Sequence, residues 1–176
     1  VEDGAAIAAA LAESAGIPAG QGSSRCHEPD FLAAGARPWG LCIQLYTLRS
    51  ASNWGIGDFG DLARLARVAA AQGADFLGLN PLHALFSADP GQCSPYSPST
   101  RRGLNVLYIA IDAVPDLADC AEAQAAIAAP AFQQELARLR SLDLVDYPGV
   151  ARCKLPILRR LHQRFRAAET AGAALD

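Results

Sequence analysis

The sequence predicts an α/β domain organised around one parallel βαβ unit. Three observations carry this. The run Leu41–Leu48 is nearly continuous in apolar side chains, with β-branched and aromatic members, the pattern of a strand buried on both faces. After the polar loop Arg49–Gly60, residues Leu62, Leu65, Ala66, Ala69 and Ala70 recur at the i, i+3, i+4, i+7, i+8 spacing of one helical face. A second apolar run, Phe76-Leu-Gly-Leu79, then closes on Asn80-Pro81. Two strands joined through a helix in this way must run parallel, with a right-handed crossover.

Residues 1–20 read as an alanine-rich helix that ends near Gly16, with Pro18 as its stop. Gly20 to Arg37 is aperiodic and rich in Gly, Ser and Pro, so 1–36 is expected to be a helix followed by a surface linker. The helix of the βαβ unit should begin near Asp61 and end at Gly73, a residue suited to the left-handed position after a helix. A second polar loop, Cys93 to Asn105, precedes a third extended apolar segment, Leu104–Ile111. Together these make residues 37–120 the βα-unit part of the chain. Beyond it, 121–176 turns helical: Phe132, Leu136 and Leu139 fit one face, and Leu158, Leu161, Phe165 and Ala168 fit another. Tyr147-Pro-Gly149 should make the turn between these two helices. There are no repeats, and low complexity is confined to alanine runs such as Ala5–Ala12 and Ala121–Ala129.

With 176 residues the chain can bury one sizeable core, yet it falls short of the roughly 250 residues of a complete (β/α)₈ barrel. Hydrophobic residues make up 51% and charged ones 19%, a soluble, globular balance. No apolar run approaches the ~20 residues of a membrane span, and the start Val-Glu-Asp-Gly lacks the basic residues of a signal peptide. The net charge of −3 gives no electrostatic reason to expect nucleic acid or an anionic membrane as partner. Cys26, Cys42, Cys93, Cys120 and Cys153 form no Cys-x-x-Cys pair, and His27, His83 and His162 do not complete a zinc spacing, so no metal or cofactor is expected. Scattered thiols of this kind point to a reducing, cytoplasmic setting. The chain holds no methionine and therefore reads as a fragment or a processed product.

Gly55-Ile-Gly-Asp-Phe-Gly60 matches the dinucleotide fingerprint G-x-G-x-x-G and lies between a strand and a helix. The context argues against it. The six residues Arg49–Trp54 separate strand from glycine, whereas the fingerprint occupies the tight strand–helix turn itself. Asp58 would set a carboxylate against the phosphates, and the second strand ends in Asn80-Pro81 rather than in a ribose-binding acid. The glycines are expected instead to serve tight backbone packing.

Five segments, in order, carry a resemblance. They are Trp39-Gly-Leu-Cys-Ile-Gln-Leu-Tyr-Thr-Leu-Arg-Ser50, Asn53-Trp-Gly-Ile-Gly-Asp58, Gly78-Leu-Asn-Pro-Leu-His83, Ser94-Pro-Tyr-Ser-Pro-Ser99 and Leu104-Asn-Val-Leu-Tyr-Ile109. With Leu144-Val-Asp-Tyr147 and the stretch Lys154–Phe165, the chain over about 37–166 resembles the N-terminal portion of the amylomaltases. These are the cytoplasmic 4-α-glucanotransferases of glycoside hydrolase family 77, enzymes of bacterial maltodextrin and glycogen metabolism. The resemblance implies a (β/α)₈ TIM barrel, here its first parallel strands followed by inserted helices. It implies transfer of α-1,4-glucan segments between maltodextrins by a retaining double displacement, which needs two carboxyl groups about 5–5.5 Å apart. In the family those groups come from later strands, so the resemblance implies no catalytic residue in this chain and the remainder of the barrel as its partner. The chain's own acid pairs read otherwise: Asp58 and Asp61 at a helix start, Asp143 and Asp146 about a turn, Asp112 and Asp116 after the third apolar segment.

What the resemblance does assign is one wall of an α-1,4-glucan site. Tyr96 matches the family's tyrosine that stacks on the transferred sugar, a role that suits an aromatic face carrying a hydroxyl; bracketed by Pro95 and Pro98, it reads equally as a stiffener of its loop. Ser94 and Asn105 either bond sugar hydroxyls or cap the loop, and His83 is a further candidate. Arg101-Arg102 reads as a solvated or ion-paired stretch, and Trp54 as a core anchor of its loop. Some family members carry an acid just before Ser-Pro-Tyr and a tyrosine nearby for a second glucan site; Gly91-Gln-Cys93 stands there instead. Two other readings stay open on the sequence, a non-catalytic maltodextrin-binding or regulatory module and an inert truncated product.

Overall fold

The computed structural model describes residues 37–173, with side chains to 168; the helix and linker expected over 1–36, and Cys26 with them, lie outside the described residues. The βαβ unit is present. Strand β1 (Gly40–Ile43) pairs in parallel with β2 (Phe76–Leu79), Gly40 opposite Phe76 and Ile43 opposite Leu79. Between them runs helix α1 (Phe59–Ala71), whose N-cap Asp58 accepts from the amides of Gly60 and Asp61 while the Asp61 carboxylate reaches back to the Asp58 amide. This reciprocal cap starts the helix two residues before the expected Asp61. Gly73 follows with φ +83°, as its position after the helix demands. Leu62, Leu65 and Ala69 turn inward, whereas Ala66 and Ala70 are exposed, so the buried stripe is narrower than the sequence spacing implied.

The expected strand Leu41–Leu48 is half as long. Its ladder stops after Ile43 because Asn80, just past β2, takes over the pairing: the Asn80 amide donates to Ile43 O (3.3 Å) and its Oδ1 accepts from Leu45 N at 2.7 Å. Leu45–Thr47 then forms a 3-10 turn. An Asn side chain offering the backbone a local partner is a strong competitor to a ladder. Nor are the strands buried on both faces: with two strands in the sheet, Leu41 and Phe76 remain exposed.

A short antiparallel hairpin, β3 (His83–Ala84) with β4 (Thr100–Leu104), was not expected. The third extended segment, Leu104–Ile111, is likewise corrected: only Leu104 belongs to a strand, and 3-10 turns at Val106–Tyr108, Ile111–Ala113 and Pro115–Leu117 follow. Asn105 Oδ1 caps the first turn by accepting from Leu107 N at 3.1 Å. Threefold spacing then buries Tyr108 and Ile111, with Leu107 buried beside them.

Helices α2 (Ala121–Ala128), α3 (Pro130–Ser141) and α4 (Tyr147–Ala173) complete the chain. Phe132, Leu136 and Leu139 face inward as expected, and so does Leu161, while Phe165 and Ala168 stay exposed. Tyr147-Pro-Gly149 is the first turn of α4 rather than a turn between helices. Asp146 accepts from Gly149 N at 2.9 Å in the manner of an N-cap, and Pro148 sits where no amide donor is needed. One buried cluster runs from Leu45 and Trp54 through Tyr108 to Leu139, Val150 and Leu161. Among the described residues no helix is long and apolar enough to cross a membrane.

Candidate functional site

The site begins where β2 ends. Asn80 is nearly buried; besides holding Leu45 it donates to Pro81 O (2.8 Å) and approaches the Tyr108 hydroxyl at 3.5 Å. It thereby sets the direction in which Pro81-Leu82-His83 leaves the carboxyl end of the parallel pair. The chain passes through β3 and returns by a series of tight turns, including Ser97 N to Ser94 O. Ser99 closes the loop: its amide and hydroxyl donate to Ala84 O, and the hydroxyl also contacts Leu85 O. Tyr96 sits at the tip of the Ser94–Ser97 turn with Pro95 buried on one side and Pro98 half-buried on the other. Fixed pyrrolidine dihedrals hold its ring outward.

Tyr96 is 67% exposed. With Pro81, His83, Pro95, Pro98 and Arg101 it lines a depression of about 330 Å³, at the low end of the size of small-molecule sites. The structure thus brings two expected residues, Tyr96 and His83, together. Ser94 is exposed on the same turn but does not line the depression. Asn105 stands apart from the other three: it is 3% exposed, its amide donates to Leu82 O, and its Oδ1 caps the following turn. Its Nδ2 has no hydrogen-bond partner, and the residue lines a small cavity with Tyr147 and Leu85. Burial pushes the Tyr108 phenol upward, against the easing contact of the Asn80 amide with its hydroxyl.

Arg101 lies in the solvated stretch that the sequence implied. It is exposed, and neither it nor Arg102 has an ion pair among the described residues; Arg101 lines the depression directly. No single-sequence signal marks it, because only the hairpin brings β4 beside His83.

The polar groups beneath belong to the scaffold. Trp54 is 2% exposed and meets Phe132 edge-on at 5.2 Å, the anchoring role its sequence context implied. The Gly55–Gly60 motif is packing, not phosphate binding. Gly55 has φ +82°, and a Cβ on Gly57 would fall 2.0 Å from Leu45 O. Asp61 accepts from Asn53 Nδ2 (2.8 Å) and from Arg64; despite burial, Ser50, Asn53 and Arg64 together hold its carboxyl below the usual range. Lys154, wholly buried, donates to Leu107 O and Ile109 O (both 2.8 Å) and stands 3.8 Å from Asp58 Oδ2. Burial pulls this lysine down to about 8 and pushes Asp58 up, the opposite charges only partly offsetting it. Of the remaining acids, Asp146 is paired with Arg138, and Asp112 lies exposed.

A parallel strand pair whose carboxyl ends open onto an aromatic depression defines an α/β unit with its ligand face at the carboxyl ends of the strands. The comparisons make this specific. The 4-alpha-glucanotransferase family matches residues 43–175, and the chain belongs to that family. It is 46% identical over 132 residues to a 4-alpha-glucanotransferase of Haemophilus influenzae, covering 75% of this chain and 19% of the relative. A 4-alpha-glucanotransferase of Mycobacterium bovis is 39% identical over 155 residues, covering 80% and 20%. The crystal structure of amylomaltase from Corynebacterium glutamicum superposes with a TM-score of 0.62 at 35% identity, covering 75% of this chain and 19% of that one. The chain therefore spans about one fifth of the length of the relatives it matches.

Proposed function

We propose that this chain is the N-terminal part of an amylomaltase-type 4-α-glucanotransferase and supplies one wall of its α-1,4-glucan site. The carrying observation is Tyr96, exposed at the tip of a proline-braced turn beside His83, at the carboxyl ends of two parallel strands. Its ring face suits the C–H face of a glucosyl unit, and its hydroxyl can bond a sugar oxygen. His83 contributes a second polar group to the same wall, and Ser94, exposed on the same turn, lies within the segment a longer glucan would cross. Asn105 supports the wall from below through its cap. In this reading the strands β1 and β2 open a (β/α)₈ barrel whose remaining strands bring the nucleophile and the acid–base, and the reaction is a retaining double displacement between maltodextrins. Among the described carboxylates, Asp58, Asp61 and Asp146 support this division, since each serves a cap or an ion pair. Maltodextrin and glycogen metabolism in the cytoplasm is the setting proposed, supported by free thiols at Cys42, Cys93, Cys120 and Cys153.

The test is disproportionation of maltotriose. The complete polypeptide should yield glucose and a ladder of longer oligomers, and the 176-residue chain alone none. Tyr96→Ala in the complete polypeptide should lower transfer about ten- to two-hundredfold, or about 1–3 kcal/mol, with the fold intact. A ladder from the purified chain alone would move the catalytic groups into this segment. Unchanged turnover by Tyr96→Ala would return the tyrosine to bracing its loop.

A further inference from the structure

We propose that Arg101 is a sugar-contacting, specificity-determining residue, its guanidinium donating in a fork to neighbouring hydroxyls of the neutral glucosyl unit that stacks on Tyr96. This rests on the glucan reading above and extends it to a residue the sequence did not single out. Three features of the depression carry it. Its polar lining consists of Tyr96, His83 and Arg101, with no carboxylate among the lining residues. Arg101 is exposed and makes no hydrogen bond or ion pair to a described residue, whereas Arg49, Arg64, Arg138 and Arg140 each donate to acceptors of the fold. Its donors are therefore free for a ligand. Third, Arg101 directly follows Thr100, the β4 residue paired with Ala84; it falls in the register break of the hairpin, between the Thr100–Ala84 and Leu104–His83 pairs, and lines the same depression as His83.

The chemistry fits a neutral sugar. A glucose ring lying on Tyr96 turns its hydroxyls to the rim, and adjacent hydroxyl oxygens match the parallel N–H pair of a planar guanidinium. Because the charged head stays in water, it pays little desolvation, and its aliphatic stem can cover the edge of the aromatic face. A site with aromatic face, fork donor and imidazole discriminates by hydroxyl arrangement, which a tyrosine alone does not.

The experiment compares wild type, Arg101→Met, Arg101→Lys and Tyr96→Ala in the complete polypeptide, by maltotriose transfer kinetics and by melting temperature. Arg101→Met should lower kcat/KM about ten- to a hundredfold, with the melting temperature unchanged. Arg101→Lys should recover part of the loss, because it keeps the charge but not the fork. Wild-type activity retained by Arg101→Met while Tyr96→Ala is impaired would overturn the inference and leave the glucan reading standing. A loss accompanied by a fall of several degrees in melting temperature would make Arg101 structural and overturn it as well. A wild-type preference for a phosphorylated maltotriose over maltotriose would assign the guanidinium to an anion instead. Absence of any transfer by the wild type would sink the glucan reading itself.

Discussion

Replacing Lys154 by methionine should loosen the turn after Asn105 far more than a surface substitution does. The ammonium is fully buried, bonded at 2.8 Å to Leu107 O and Ile109 O and 3.8 Å from Asp58. Its fall from 10.5 to about 8 corresponds to about 3 kcal/mol against the charged form. Two charge-assisted hydrogen bonds, at about 1.5–3 kcal/mol each, stand on the other side. The intact arrangement is thus close to break-even, as buried ion pairs commonly are. Removing one partner is a different matter, because two carbonyls are left buried without that donor and the Asp58 carboxylate, still held by the Gly60 and Asp61 amides, without its counter-charge. That costs about 3–5 kcal/mol. Adding Asp58→Asn, which keeps an acceptor for the α1 N-cap, should recover about 1–3 kcal/mol by removing the stranded charge. The assay is amide hydrogen exchange at Tyr108, Ile109 and Ala113, whose amides close these turns. A loss of about 3 kcal/mol speeds exchange through local opening by roughly a hundredfold. Unchanged protection in Lys154→Met, or a double variant less protected than the single one, would refute this account of the buried pair.

The same pair gives stability a pH dependence. Lys154 has a folded pKa of about 8 against 10.5 unfolded, so between those values the unfolded chain binds more protons and stability rises with pH. Below about 8 the penalty is complete; urea midpoints followed by tryptophan fluorescence should show the rise, and Lys154→Met should lack it. Asp58 is raised above 3.8, so its contribution has the opposite sign and is lost as pH climbs from acid through its folded value. Trp54→Ala should cost about 3–5 kcal/mol in urea unfolding, since it empties a site packed edge-on against Phe132; a change under 1 kcal/mol would mean the loop is anchored elsewhere. The chain by itself should self-associate and bind a hydrophobic dye, because Leu41, Phe76, Leu104 and Leu144 are exposed and the two-stranded parallel sheet has open edges. A sharp monomer peak in light scattering without dye binding would show those faces to be harmless.

The parallel unit and α1 were legible because their signals are local: a period of 3.6, a run of apolar residues, and acids three apart at a helix start. The same logic recognised Trp54 as an anchor and the glycine motif as packing, since an intervening six-residue loop is visible in the chain. Leu104–Ile111 defeated it. An apolar run looks alike whether it forms a strand or successive 3-10 turns, and the choice fell to Asn105 capping the first turn and to Lys154 bonding its carbonyls from α4. Tyr147-Pro-Gly149 misled for a related reason, because a proline suits a helix's first turn as well as a loop, and only the Asp146 cap decides between them.

By itself the sequence determined the α/β unit and the family, both of which rest on residue types in order along the chain. Tertiary structure alone decided which polar groups face outward and which are spent inside. Of the two roles open to Asn105, sugar contact or cap, it took the cap inside the core, and Lys154, to which the sequence assigned no role, was buried and bonded beside it. An arginine that read as solvent-facing decoration came to line the depression. The physical reason is that the worth of a polar side chain depends on burial and on partners tens of residues away, such as the 47 that separate Lys154 from Leu107.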